Sequence, residues 1–193
     1  MRKLFEFFKT RPTTLMIAIT LVLALVVNFY ATALLNQSYA ASLFPVPYYT
    51  AQLSFNPDQL KTWYAFLIAH NTLSTYITTQ NIDFLFIVST LFLHLFALLL
   101  ISRLFPLGSK WRSAMVICAL LSTLAPLADA LENAVSYIML ANPLQFASFW
   151  AYIYSSFAAI KFAMFTFAYI AAAVGLLAGL VLFAKRALEH KSA

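Results

Sequence analysis

The sequence predicts an all-α polytopic membrane protein, a bundle of four transmembrane helices. An extracytoplasmic strap and a short amphipathic helix are expected between the first and second of them. Hydrophobic residues make up 63% of the 193 residues and charged residues only 9%, whereas a soluble domain has roughly 45–50% and about 25%. So few polar groups cannot cover the surface of a soluble globular domain, which excludes that class. Four apolar stretches each reach the roughly 20 residues that a helix needs to cross a bilayer.

We expect the four helices to span the membrane at about residues 13–37, 83–103, 111–141 and 143–184, within one transmembrane domain covering residues 1–193. The first is not expected to be a cleaved signal peptide, because its apolar part exceeds the roughly 7–15 residues of such a peptide's core. The third and fourth are longer than a bilayer requires. They are therefore expected to tilt, to kink at Pro126 or to project above the outer surface.

The basic residues set the predicted orientation. Ten of the 12 lie before the first span, between the second and third, or after the fourth: Arg2, Lys3, Lys9, Arg11, Arg103, Lys110, Arg112, Lys185, Arg186 and Lys191. With four spans these three clusters share one side, which the positive-inside rule makes cytoplasmic. The sequence therefore predicts a multi-pass protein of the bacterial inner membrane with cytoplasmic N- and C-termini.

The segment 38–82 is expected on the opposite, extracytoplasmic side. Its first part contains Pro45 and Pro47 and is typical of an extended strap. Asn56 and Pro57 then predict a helix start, with Asn56 as N-cap and Pro57 in the first helical position. The residues that follow are amphipathic and aromatic: Leu60, Trp63, Tyr64, Phe66 and Leu67. We expect a short helix that covers the mouth of the bundle at the outer interface, or a plain interfacial anchor without a functional role.

Composition also limits the chemistry. Cys118 is the one cysteine, so an intramolecular disulfide, a CxxC pair for thiol oxidation and cysteine-built zinc sites are excluded. The net charge of +6 is explained by the cytoplasmic clusters and not by nucleic-acid binding. No metal or other cofactor is expected. The two halves show no internal repeat, so an inverted-repeat transporter is not supported.

Polar residues inside the spans fall on helix faces instead of being scattered. They are Asn28, Thr32 and Asn36 on the first span; Asp83, Thr90 and His94 on the second; Asp129, Glu132, Asn133 and Ser136 on the third; and Tyr154 and Lys161 on the fourth. Within each set the residues are separated by whole numbers of helical turns, to a close approximation. Each set therefore shares one face of its helix.

Four ionisable side chains, Asp83, Asp129, Glu132 and Lys161, are predicted to lie in one layer near the outer leaflet. Counted at ~1.5 Å per residue, each lies ~26–36 Å from the cytoplasmic basic clusters, against a hydrocarbon core of ~30 Å. An ionised side chain in the bilayer costs about 2.5–3.5 kcal/mol, so these groups should face inward and pair. One lysine cannot neutralise three acids. We therefore expect a protonated carboxyl, a cation or water in this layer.

The leading interpretation is a polar pocket near the outer leaflet that binds a lipid or an amphipathic small molecule. Its candidate binding residues are Asp83, Asn133, Lys161, His94, Asn28 and Tyr154. If the pocket is also catalytic, Glu132 or Asp129 is the candidate general acid or base, because burial can tune a carboxyl for proton transfer near neutral pH. Lys161 would then orient the carboxylates or hold an anionic group.

Two other interpretations stay open. A structural or assembly subunit of a larger membrane complex would use the same polar residues to lock its helices in register, in a closed, dry bundle. The Gly175 and Gly179 pair allows close packing of another helix, in the same chain or in a second protomer of a homo-oligomer. A proton-coupled carrier instead predicts a hydrated path past His94 to the cytoplasm. Membrane lipids are expected partners in every case.

Two motifs carry a resemblance. The second span begins Asp83-Phe84-Leu85-Phe86, and the third contains Asp129-Ala130-Leu131-Glu132-Asn133. In these the chain resembles a group of uncharacterised bacterial four-helix membrane proteins with D-F-x-F and D-x-x-E-N motifs, which implies that the acids matter to that group. In layout it is also similar to the EXPERA sterol isomerase-like and sigma-receptor-like proteins. That likeness implies a long segment between the first two spans and acids that face a lipid-accessible cavity.

Overall fold

The structure, a computed structural model, describes residues 2–191 and confirms the all-α fold. In this part of the chain there is no strand, and four helical stretches are long and apolar enough to cross a membrane. The chain is therefore a multi-pass membrane protein. Its helices are α1 (Arg2–Thr10), α2 (Thr14–Ala41), α3 (Tyr48–Gln52), α4 (Pro57–Ala69), α5 (Leu73–Ser102), α6 (Lys110–Ser122), α7 (Leu124–Ala141) and α8 (Phe149–Lys191). Met1, Ser192 and Ala193, the ends of the predicted domain 1–193, lie outside the described residues.

The first two long helices extend further than expected. The first continues to Ala41 instead of residue 37, and the second begins at Leu73 instead of residue 83. The early turns of α5 are polar in sequence, which hides them from a hydropathy argument, but Tyr76, Thr79 and Gln80 are buried there. Burial of these side chains stabilises the first turns of α5, although their polar composition does not predict a membrane span. The segment between the two helices is therefore shorter than predicted, 42–72 instead of 38–82. It contains the short helix α3, which was not predicted.

The third span is interrupted at Thr123, three residues before Pro126. Proline has no N–H, so Pro126 cannot donate to the carbonyl of Ser122 one turn earlier. The hydroxyls of Ser122 and Thr123 turn back instead and donate to the carbonyls of Ala119 and Leu120, at 2.8 and 2.7 Å. A tilt, a kink at Pro126 or projection above the outer surface was expected for this long span. The interruption just before Pro126 corresponds to the expected kink.

The fourth long helix begins later than expected, at Phe149 instead of residue 143, and runs through residue 184 to Lys191. The connection expected to be a three-residue turn, 141–143, is a longer segment, 142–148. Gln145 N–H donates to the Asn142 carbonyl at 3.1 Å, and the Phe146 ring is buried in the aromatic core around α4. The segment is therefore a turn whose aromatic side chain packs in the core, and it is not part of α8.

The chain divides into two compact units. The first comprises Met1–Ala24, Leu91–Leu124 and Met164–Ala193, and the second Leu25–Thr90 and Ala125–Ala163. In the first unit the sequence analysis missed α1, a short helix rich in charge. The guanidinium groups of Arg103 and Arg112 hold its end. Arg103 donates to the carbonyls of Phe8, Lys9, Arg11 and Pro12, and Arg112 donates to those of Lys9 and Phe105. Burial, and then the neighbouring Arg112, lower the pKa of Arg103.

The second unit is built around α4. Asn56 is its N-cap, as predicted: the side-chain oxygen accepts from the N–H groups of Asp58 and Gln59, both at 3.1 Å, and Pro57 opens the helix. One stripe of α4 is buried: Leu60, Trp63, Tyr64 and Leu67. It packs in a largely aromatic core with Phe44, Tyr76, Val135, Met139, Leu140, Phe146, Ala151 and Tyr154. The short helix is therefore part of the core of this unit.

Close helix packing in the first unit depends on the two glycines of α8. A Cβ added at Gly175 would lie 2.5 Å from Met115 Sδ and 2.8 Å from Ile101 Cγ2, and one added at Gly179 would lie 2.6 Å from Leu104 Cδ1. All three distances are shorter than van der Waals contact. The GxxxG pair therefore brings α8 against other helices of its own chain.

We expect Gly175→Ala and Gly179→Ala each to lower the free energy of unfolding by about 1–3 kcal/mol, because the added methyl group overpacks the contact. Thermal unfolding in detergent, followed by circular dichroism, measures the change. Gly108→Ala is the matched control, since a Cβ there meets no atom within 4 Å. Equal melting temperatures for all four proteins would contradict this account of the packing.

Candidate functional site

The polar stripe of the third span is buried, as its spacing predicts. On α7, Asp129 is 3% exposed, Glu132 1%, Asn133 2% and Ser136 0%. These residues lie at i, i+3, i+4 and i+7, which places them on one face of the helix, one above the other. Because they face the interior of the second unit, they contribute a continuous polar strip within an otherwise apolar core.

Lys161 of α8 pairs with two of these carboxylates. Its Nζ lies 3.0 Å from Asp129 Oδ1 and 2.5 Å from Glu132 Oε2, and the residue is only 4% exposed. The Phe162 ring adds a cation–π contact, with its centroid 5.0 Å from the same nitrogen. A buried ammonium and a buried carboxylate each carry a large desolvation cost, which such close pairing offsets. The three residues therefore form one electrostatic unit that connects α7 and α8.

Asp83 of α5 joins the cluster through an amide instead of a cation. Its Oδ2 accepts from Asn133 Nδ2 at 2.7 Å, and Asp83 is partly exposed. Of the three carboxyl groups gathered here, two contact the Lys161 ammonium and the third contacts a neutral donor. If all three were ionised, the cluster would carry a net charge of −2. We call Asp83, Asp129, Glu132, Asn133 and Lys161 the acidic cluster.

Three tyrosines lie near the acidic cluster: Tyr64 of α4, Tyr76 of α5 and Tyr154 of α8. All three are buried, and the charge of Glu132 acts on each phenol. The Tyr76 and Tyr154 hydroxyls lie beside one another. Burial raises the pKa of Tyr64 above its usual range, more than the adjacent Ser136 hydroxyl lowers it, so this phenol keeps its proton.

Of these tyrosines the sequence analysis proposed only Tyr154 as a site residue. Tyr64 stood out as part of the amphipathic stripe of α4, but its contact with α7 depends on tertiary structure. Tyr76 lies in the polar segment that was not expected to be part of a long helix. Ser136 was recognised on the α7 stripe and not as a site residue.

Two of the proposed ligand-binding residues have other neighbours. Asn28 of α2 donates to the hydroxyls of Ser89 and Thr90, at 3.1 and 2.8 Å, and so joins α2 to α5. His94 belongs to the first unit, where the rings of Phe165 and Tyr169 pack edge-on against it with centroids at 5.3 and 5.5 Å. Asp83, Thr90 and His94 share a helix face by spacing, yet each contacts a different set of residues.

The chemistry open to the acidic cluster is hydrogen bonding, ion pairing and proton transfer by carboxyl groups. Within residues 2–191 no group of three or more His, Cys, Asp or Glu residues is arranged to hold a metal ion. Asp129 and Glu132 present carboxyl oxygens to one ammonium, an arrangement suited to moving a proton or orienting a polar group.

Comparison with protein-family models, curated proteins and solved structures finds no match to this chain. The resemblances to the D-F-x-F and D-x-x-E-N group and to the EXPERA layout therefore stay predictions. The geometry of the acidic cluster and its tyrosines is the basis for the proposed function.

We expect Lys161→Met to lower the free energy of unfolding by about 3–5 kcal/mol, because it leaves two buried carboxylates without their cation. Lys110→Met is the matched control, since Lys110 is exposed. Thermal unfolding of both variants beside the wild type, in the same detergent, measures the effect. A Lys161→Met protein as stable as the wild type would show that the ammonium does not hold α7 and α8 together.

Proposed function

We propose that this chain is an inner-membrane protein whose acidic cluster binds the polar group of a lipid or amphipathic small molecule. The observation that carries the proposal is the excess of acid over base: two buried carboxyl groups contact one ammonium, and a third, partly exposed carboxyl joins them through Asn133. A register lock needs a balanced pair, and each further buried acid adds a desolvation cost. Natural proteins concentrate such costs at functional sites, which supports a binding or acid–base role.

The surroundings of the acidic cluster suit a molecule with a polar end and an apolar body. The core around it is aromatic. The centroid of the Phe44 ring lies 4.9 Å from that of Tyr76 and 5.9 Å from that of Trp63. Aromatic surfaces bind apolar groups without demanding a hydrogen bond, while the carboxyl groups fix orientation. If the site is catalytic, Glu132 or Asp129 acts as the general acid or base. Lys161 then orients both carboxylates.

One observation favours a second function, that of a structural or assembly subunit. Lys161 contacts both Asp129 and Glu132, and Asn133 contacts Asp83, so all five residues of the acidic cluster already have a partner within the chain. Such a network can lock helices in register for a partner protein or a second copy. The proton-coupled carrier stays a prediction.

Mass spectrometry of co-purifying molecules separates these functions. We expect wild-type protein, purified in mild detergent, to retain a specific lipid or metabolite that Glu132→Gln loses, because the variant removes the acceptor charge and keeps the shape. Glu6→Gln, at an exposed position of α1, is the matched control and should retain the molecule. Equal, bulk-like lipid in all three proteins, with Glu132→Gln merely less stable, would support the structural role instead.

The orientation is also proposed: both termini and the connection between α5 and α6 are cytoplasmic, because the basic clusters lie there. In a Cys118→Ala background, we expect Thr62→Cys of α4 to react with a membrane-impermeant maleimide added to intact cells. Gly108→Cys, between α5 and α6, should react only after the cells are permeabilised. Labelling of Gly108→Cys in intact cells, with Thr62→Cys protected, would reverse the proposed topology.

A further inference from the structure

Two hydroxyl groups beside the acidic cluster lack hydrogen-bond partners within the described residues. Tyr64 Oη and Ser136 Oγ are both buried atoms of residues that are 0% exposed. They are neighbours, and the Ser136 hydroxyl acts on the Tyr64 phenol, but the pair does not meet hydrogen-bond geometry. Buried hydroxyls in proteins are almost always hydrogen-bonded, and each unpaired one destabilises the fold. Two such groups side by side therefore indicate a third polar group that satisfies both.

The same spot borders a carboxylate. Ser136 lies one turn after Glu132 on the same face of α7, and the Glu132 charge acts on Tyr64. Glu132 Oε2 is 2.5 Å from Lys161 Nζ, but this contact lacks hydrogen-bond geometry, so the oxygen keeps acceptor capacity. A group between these residues therefore meets hydroxyls that donate and accept, and a carboxylate that accepts.

Charge and hydrogen-bond chemistry select among polar groups. A carboxylate or phosphate would meet the charges of Glu132 and Asp129 and be repelled. An ammonium donates only, so it would leave the phenolic O–H of Tyr64 without an acceptor, and it would lie beside the Lys161 cation. A neutral hydroxyl, of water or of an alcohol, accepts from Tyr64 and donates to Ser136 or Glu132, which satisfies all of them.

We infer that the polar end of the bound molecule is an alcohol hydroxyl, held between Tyr64, Ser136 and Glu132. This inference rests on the proposed function and names the chemical class of its ligand: a long-chain alcohol. The apolar body of the alcohol contacts the aromatic core. Tyr64 thereby becomes a binding residue supplied by α4, a helix outside the membrane-spanning segments.

A matched series of amphiphiles tests the inference. Full-length protein, stripped of co-purifying lipid in detergent, is titrated with 1-hexadecanol, hexadecyl methyl ether, hexadecylamine and hexadecanoic acid, at equal mole fractions in the micelle. Dissociation constants are taken from the rise in melting temperature. We expect the alcohol to bind about tenfold more tightly than the ether, because the ether cannot donate the hydrogen bond.

Variants that each lack one hydroxyl show which residues cause the preference for the alcohol. In Tyr64→Phe and Ser136→Ala the preference for alcohol over ether should shrink to less than about threefold. Tyr49→Phe, at an exposed position of α3, should keep it. Circular dichroism and the melting temperature of each variant without ligand establish that it is folded before it is titrated.

The outcomes separate the inference from the proposed function. If the amine, the acid or the ether binds as tightly as the alcohol, and Glu132→Gln weakens that binding, the site exists but the alcohol assignment is wrong. If the alcohol preference survives in both Tyr64→Phe and Ser136→Ala, these hydroxyls do not bind it. If no probe binds and no molecule co-purifies in a Glu132-dependent way, both the inference and the proposed function fail.

Discussion

The second unit depends on the placement of one ammonium group, that of Lys161, between the carboxylates of Asp129 and Glu132. Removed from water, any of these charges alone would oppose folding, since a membrane offers no solvent to replace it. Together they fix which faces of α7 and α8 meet. With α7 in this rotation, Asn133 also lies beside Asp83 and Ser136 beside Tyr64.

The segment between the first two spans completes the site. The N-cap at Asn56 starts α4, and its buried stripe then packs the Tyr64 ring among the aromatic residues of α5 and α8. The phenolic hydroxyl consequently reaches the polar strip of α7. A short helix that is not one of the four spans thus adds a phenol to the hydroxyls that the spans supply. In this arrangement the membrane-spanning helices carry the charged groups, and α4 supplies a further hydrogen-bonding group, the Tyr64 phenol.

Periodicity explains what the sequence could predict. The α7 stripe and the Asn56 cap depend on local rules, and both are confirmed. The start of α5 was placed ten residues late, at 83 instead of 73, because its first turns are polar in sequence and held by tertiary burial. The partners of Asn28 and His94 could not be predicted. Spacing shows that residues share a face, but the rotation of each helix against its neighbours decides what that face contacts.

The acidic cluster and the Tyr64 and Ser136 hydroxyls are proposed to form a binding site and not only a lock. A high-resolution electron cryomicroscopy map of the protein in lipid nanodiscs, with an antibody fragment to aid alignment, tests it most directly. We predict non-protein density within hydrogen-bonding distance of Tyr64 Oη and Ser136 Oγ, continuous with an apolar body along the aromatic core. A map in which these hydroxyls bond to each other, with protein side chains filling the space, would contradict the account.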